Sequence, residues 1–255
     1  TQNVLAAANN VIAKNKNHLV LKLLTEIIKG ELITVFEAGS ELDEAMFIVR
    51  NISGHNYSDF TVLYRTNAQS RVLEEVFLHA GIPYCLVGGV RFYERKEIKD
   101  ILAHLRLLLN PGDEVSRNRV EKMGKTKLKK FELRFLNHDL NTNTINILDE
   151  VIKETNYLDQ YDPMNEEDAA RLENIKELRS VAMNFSKLEE FLEQVTLTEK
   201  ESKKSGRYEN GAVTLMTLHA AKGLEFKTVF MVGMEEGLFP HSRTLMNPEE
   251  LEEER

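Results

Sequence analysis

The chain has 255 residues, 42% hydrophobic and 29% charged, with a net charge of −8, which suits a soluble chain of one or two domains and excludes a disordered one. No apolar run nears the roughly 20 residues that cross a bilayer, and the N-terminus lacks the basic and apolar regions of a secretory signal. Cys85 is the single cysteine, so no internal disulfide or thiolate zinc site is expected, and a reducing cytoplasm is the expected location. The seven histidines are scattered without ligand spacing; no metal site is expected.

Residues 2 to 14 place Val4, Leu5, Ala8, Val11 and Ile12 at helical spacing, and Ile33 to Phe36 reads as a short strand. The chain opens on Thr rather than Met, which suggests an excised piece. Ser40 with Asp43 resembles a capping box ahead of a helix over about 41 to 51, with Leu42, Ala45, Met46 and Val49 on one face. Phe60 to Tyr64 reads as a strand, Val72 to Ala80 as a helix ended by Gly81 and Pro83, Tyr84 to Val87 as a third strand, and 94 to 109 as a helix with Ile98, Ile101, Leu102, Leu105 and Leu108 inward. This alternation predicts a parallel α/β sheet.

The pattern stops at Asn110, Pro111, Gly112 and Asp113. From there to about 198 only helical periodicity remains, clearest in Leu172, Ile175, Leu178, Ala182, Phe185, Leu188, Leu192 and Val195. The polar run from Glu199 to Asn210 reads as a linker. Two apolar strands follow, Ala212 to Leu218 and Thr228 to Met234, the second expected to be buried on both faces. The fold class expected is therefore α/β: one discontinuous parallel-sheet domain, 1–110 plus 211–255, interrupted by an all-helical insertion with its return linker, 111–210.

Charge is unevenly spread. From Arg117 to Arg134 eight basic residues (117, 119, 122, 125, 127, 129, 130, 134) face two acidic ones (121, 132), and from Glu235 to Glu254 seven acidic residues face Arg243 alone. Within the basic stretch Met123 to Thr126 spells MGKT, but a phosphate loop needs Gly where Arg119 stands. This leaves a basic helical patch that either contacts duplex phosphates or is a solvated face.

In open parallel sheets ligands bind at the carboxyl ends of the strands. Thr217, Leu218 and His219 fall at such an end, in the string TLHAAKGLEF. There Gly223 permits close backbone approach, Lys222 can meet anionic oxygen, and Glu225 can accept from a ribose hydroxyl. The alternative is a plain connection with solvated Lys and Glu. Arg65, Thr66 and Asn67 form a second strand-end loop, where Arg65 and Asn67 are candidates for phosphate or base contact, Thr66 or Asn67 a helix cap, and Gln69 and Arg71 structural. Gly88, Gly89, Phe92, Tyr93 and Arg95 are expected to form a turn, an aromatic pack and a salt bridge leading into the insertion, with base stacking by Phe92 or Tyr93 the lesser alternative.

The string TLHAAKGLEF, followed by VFMVGMEEGLFPH and EEER, resembles motif V and its downstream neighbour in the UvrD, PcrA and Rep group of superfamily 1 DNA helicases. LYRTNAQSR (Leu63 to Arg71), GGVRFYERKEIKD (Gly88 to Asp100) and TQNVLAAAN at the start are similar to further segments of that family, in the same order. The resemblance is strong over roughly 1–112 and 205–255 and loose in the insertion. It implies a RecA-like motor domain of the 2A kind, with the insertion in the place of subdomain 2B, shortened and without that subdomain's Pro-, Arg- and Gly-rich duplex-binding turn.

The resemblance also implies that Arg65, Asn67, Thr217 and His219 face single-stranded DNA, while Gly223, Glu225 and Lys222 face nucleotide. ATP and Mg²⁺ are then the cofactors of the parent enzyme. The expected partners are single-stranded DNA, the N-terminal motor domain of the same parent chain, and proteins docking on the helical insertion; no membrane is expected. The phosphate loop and Mg²⁺-holding acidic motif are not found, and the chain stops before the arginine of motif VI, so no catalytic residue is expected and the piece alone is expected to be inactive as an ATPase. Two alternatives remain open: a RecB- or AddA-type helicase-nuclease subunit, and a non-catalytic protein-interaction module.

Overall fold

The computed structural model describes residues 1–15, 29–135, 142–204, 211–240, 244 and 247–254. Its centre is a four-stranded parallel sheet in the order β2-β3-β1-β4, formed by β1 (Phe60–Tyr64), β2 (Tyr84–Leu86), β3 (Val213–Thr217) and β4 (Thr228–Met231). Val62 pairs with Leu215 on one side and Phe230 on the other, so β1 is central. β3 lies between β1 and β2 although a long helical stretch separates it from both in sequence. The parallel α/β class predicted by the alternation is the observed one.

Helix α1 (Gln2–Ile12) and helix α2 (Glu41–Ile52) precede the sheet. Ser40 Oγ accepts the Asp43 amide at 3.2 Å, and the Asp43 carboxylate accepts the Gly39 amide at 3.1 Å, a reciprocal cap shifted one residue outward from the usual box. The inward face of α2 is Ala45, Ile48 and Ile52, with Val49 partly buried; Leu42 and Met46, expected on that face, are exposed. Helix α3 (Ser70–His79) joins β1 to β2 and buries Val72, Leu73, Val76 and Phe77. With Tyr64, Tyr84, Val213 and Leu215 these residues form the core beside the sheet.

The helical part comprises α4 (Lys96–Leu109), α5 (Glu114–Met123), α6 (Lys125–Phe135), α7 (Thr144–Glu154), α8 (Glu166–Ala182) and α9 (Leu188–Lys204). Asp113 caps α5 through the amides of Val115 and Ser116, both at 3.1 Å. A second buried cluster, distinct from the first, runs from Phe92 and Ile98 through Leu102, Ile147, Leu148 and Leu178 to Phe191 and Val195. Helix α4 sits in this second cluster, so the segment leaving β2 turns at once into the helical core.

Three expectations are corrected. Ile33 to Phe36 is no strand: it pairs with no ladder, Val35 is 89% exposed, and Phe36 stacks on Phe47 at 4.0 Å. β4 is not buried on both faces, because it lies at the sheet edge with Val229 41% and Met231 46% exposed. Residues 199–204 are not linker, because α9 continues to Lys204, with Thr198 buried and Glu199 Oε2 accepting from Arg106 Nη2 at 3.0 Å. Residues 205–210 of the expected linker lie outside the described residues. A last helix, α10 (Pro248–Glu254), is tied back to the start of the chain by Asn15 Nδ2 donating to Glu252 O at 2.8 Å.

Candidate nucleic-acid interface

All four strands point the same way, so their carboxyl ends and the loops that leave them gather at one edge. Tyr64 and Thr217 are register partners, and the Leu218 amide donates to Tyr64 O at 2.8 Å beyond the last pair. Arg65 and His219 therefore leave neighbouring strands side by side. Arg65 Nη1 lies 3.4 Å from both ring nitrogens of His219; a neutral imidazole has one acceptor nitrogen, so at most one of the two contacts is a hydrogen bond. His219 is exposed and Arg65 partly so.

Each loop is shaped by its own polar groups. Gln69 Oε1 accepts the amides of Arg65 and Thr66, both at 2.9 Å, which folds Asn67–Gln69 into a 3₁₀ turn beneath Arg65. Thr217 Oγ1 accepts the Ala220 amide at 3.2 Å and its carbonyl accepts the Ala221 amide at 3.1 Å, so β3 ends in a tight turn that presents His219 at its tip. Beyond it Lys222, Gly223 and Glu225 are exposed. Gly223 has φ +82, and nothing lies within 4 Å of where its Cβ would stand, so this stretch offers open backbone to a ligand.

The ends of β2 and β4 complete the edge, which sequence reasoning missed. A Cβ on Gly89 would stand 3.6 Å from Asn67 Oδ1, and one on Gly88 3.8 Å from Ala220 Cβ, so the Gly88–Gly89 turn fits between the Asn67 and His219 loops. The doublet GG is the available signal, but by itself it indicates only a turn. After β4, the Gly233 amide donates to Glu44 Oε1 at 3.1 Å. Burial, and after it the charges of Glu235 and Glu41, hold the Glu44 carboxyl above its ordinary range despite that bond.

Phe92 and Tyr93, 1% and 6% exposed, pack edge-to-face at 5.1 Å. That burial removes them from any base-stacking role. Arg95 is buried and reaches Glu74 at 4.0 Å, and Arg71 pairs with Glu75 at 2.7 Å and also with Glu177. In the basic stretch, Arg119 binds the Asp100 carboxylate at 2.7 Å and Arg117 that of Glu132 at 2.5 Å, so part of its charge is internally matched. Lys125, Lys129 and Lys130 are exposed. Among the described residues, no helix is long and apolar enough to cross a membrane.

A parallel α/β sheet with cationic and glycine-rich loops at its carboxyl edge, and a helical unit inserted between β2 and β3, defines a RecA-like motor domain of the superfamily 1 helicase kind. The chain belongs to the UvrD-like helicase C-terminal domain family, whose model matches residues 1–166 and 141–255. It is 39% identical to the ATP-dependent DNA helicase UvrD1 of Mycobacterium tuberculosis over 326 positions, and 38% identical to the ATP-dependent DNA helicase PcrA of Bacillus subtilis over 317. Both alignments take in 100% of this chain and 42% of the relative. They are longer than the chain's 255 residues, so the relatives hold residues that have no counterpart here.

Proposed function

We propose that this chain serves as the second motor half of an ATP-dependent DNA helicase, supplying one wall of the single-stranded DNA track and one wall of the nucleotide cleft. The observation that carries the reading is the contact of Arg65 with His219 across neighbouring strand ends. It sets a guanidinium, an imidazole and the Asn67 and Thr217 side chains on one edge, where successive phosphates can be held. The strings that bear these residues, LYRTNAQSR and TLHAAKGLEF, are those that resemble the family's motifs.

Lys222, Gly223 and Glu225 form the nucleotide-facing stretch. An open glycine backbone beside a flexible ammonium fits phosphate oxygens, and a carboxylate fits a ribose hydroxyl. ATP with Mg²⁺ would supply the phosphoryl-transfer energy in the whole enzyme. The residues here would hold only one side of it, the other belonging to the N-terminal motor domain. On this reading 1–110 with 211–255 form the motor unit and 111–210 the inserted unit, with α4 carrying one into the core of the other.

The test is fluorescence anisotropy of a labelled single-stranded oligonucleotide titrated with the chain at low and moderate salt. Affinity falls with salt, and Arg65→Ala and His219→Ala each weaken binding about fivefold to tenfold, the scale of one exposed hydrogen bond. Binding indifferent to both substitutions would move the DNA track off these loops.

A further inference from the structure

The helical unit and the DNA edge share one buried polar junction. Arg95, 6% exposed, stands at the foot of α4. Its Nη1 donates to Asn174 Oδ1 of α8 at 2.7 Å, its Nη2 to Ser70 Oγ at 2.8 Å and to the Asn67 carbonyl at 3.0 Å, and its Nε to Val90 O at 3.3 Å. The nearest carboxylate, Glu74, is 4.0 Å away and is engaged by Ser70 Oγ at 2.7 Å. A bidentate carboxylate would hold a buried guanidinium more strongly than neutral acceptors do. This one is distributed over neutral acceptors on three separate segments.

Asn174 is oriented without ambiguity. Its amide nitrogen donates to Glu97 Oε1 at 2.6 Å while its oxygen faces the guanidinium, and the reverse orientation would set donor against donor and acceptor against acceptor. One turn along α8, Glu177 pairs with Arg71, and α8 also packs on the 3₁₀ turn Asn67–Gln69. Displacement of α8 from the sheet would therefore remove the Asn174 bond, one of the four that Arg95 makes, and leave the guanidinium that holds the Asn67 carbonyl less firmly placed.

We propose that Arg95 and Asn174 are positioning residues through which the seating of the inserted helices sets the conformation of the Arg65–Gln69 loop, and with it the hold of that loop on single-stranded DNA. The proposal rests on the DNA reading of Arg65 given above. Asn174, 5% exposed, is shut away from any strand of nucleic acid, so an effect on DNA affinity must pass through the loop.

The experiment measures oligonucleotide affinity by anisotropy, thermal unfolding, and amide hydrogen exchange over residues 65–69, for the whole chain and for Asn174→Ala, Arg65→Ala and the double variant. Asn174→Ser, which keeps a small acceptor but cannot span Arg95 and Glu97, replaces Asn174→Ala if that variant does not fold. The expected result is faster exchange at 65–69, affinity about fivefold weaker for Asn174→Ala, and a double variant no weaker than Arg65→Ala alone. A lowered melting temperature with unchanged exchange at 65–69, or effects of the two substitutions that multiply, would overturn the relay. If Arg65→Ala leaves affinity unchanged, the DNA reading falls instead, and the exchange data alone decide the relay.

Discussion

Glu74 is the side chain whose ionisation the fold strains most legibly. Burial pushes its carboxyl up to about 7, against the opposing hydrogen bond from Ser70, the charge of Arg95 and the amide of Phe92. Because the folded state holds the proton more tightly than the unfolded chain, the protonated form favours folding. That contribution is complete below about 4.5 and lost as pH rises through about 7. A shift of this size corresponds to about 3 kcal/mol between the two ends. Urea unfolding of the wild type and of Glu74→Gln at pH 5.5 and 8 should show the wild type gaining stability relative to the variant at the lower pH. A difference between the two that does not change with pH would mean that Glu74 is already neutral, or fully compensated, across the range.

Elements, not single residues, build the carboxyl edge of the sheet, and Gln69 shows how closely two strand-end loops are interlocked. Gly233, after β4, has φ +65, and a Cβ there would stand 2.0 Å from Gln69 Nε2. The far end of a glutamine usually yields cheaply, but this one is held by its oxygen on the Arg65 and Thr66 amides. Gly233→Ala should therefore displace Gln69, loosen the Arg65 loop and weaken oligonucleotide binding several-fold, besides adding about 1–2 kcal/mol of left-handed backbone strain. Unchanged affinity in a folded variant would show that Arg65 does not depend on this packing. Such interlocking decides what a sequence reveals. β1 could be read to the residue because it is central, with apolar neighbours on both sides; β4 has a similar apolar run, but nothing in that run says that it lies at an edge. Ile33 to Phe36 has the composition of a strand and no ladder partner. The end of α9 reads as linker because a solvent-facing helical turn of Glu, Lys and Ser has the composition of a loop, and the pairing of Glu199 with Arg106 crosses 93 positions. In the same way, Arg65 and His219 were legible as neighbours because both end strands of one parallel sheet, whereas Arg95 and Asn174 meet across 79 positions with no local pattern to announce it.

At the scale of the whole molecule, two apolar clusters are joined by polar contacts. The sheet cluster is built from α2, α3 and the strands, the helical cluster from α4 to α9. Between them stand Arg71 with Glu177, Arg95 with Asn174, and Tyr93 Oη donating to Glu75 at 2.9 Å. Polar pairs of this kind fix orientation strongly and contribute modestly to stability, so each cluster should keep much of its own cooperativity. Ile147 is fully buried among the helices, and Ile147→Ala should cost about 2–5 kcal/mol through lost burial and the cavity left behind. Hydrogen exchange followed by mass spectrometry should then show α4, α7 and α8 exchanging faster while β1 and β3 keep their protection. Residues 65–69, tethered to α8 through Arg95, should follow the helices rather than the strands they adjoin. Equal loss of protection in β1 and α7 would instead mean one cooperative unit, in which the inserted helices could not shift without unfolding the edge they are proposed to position.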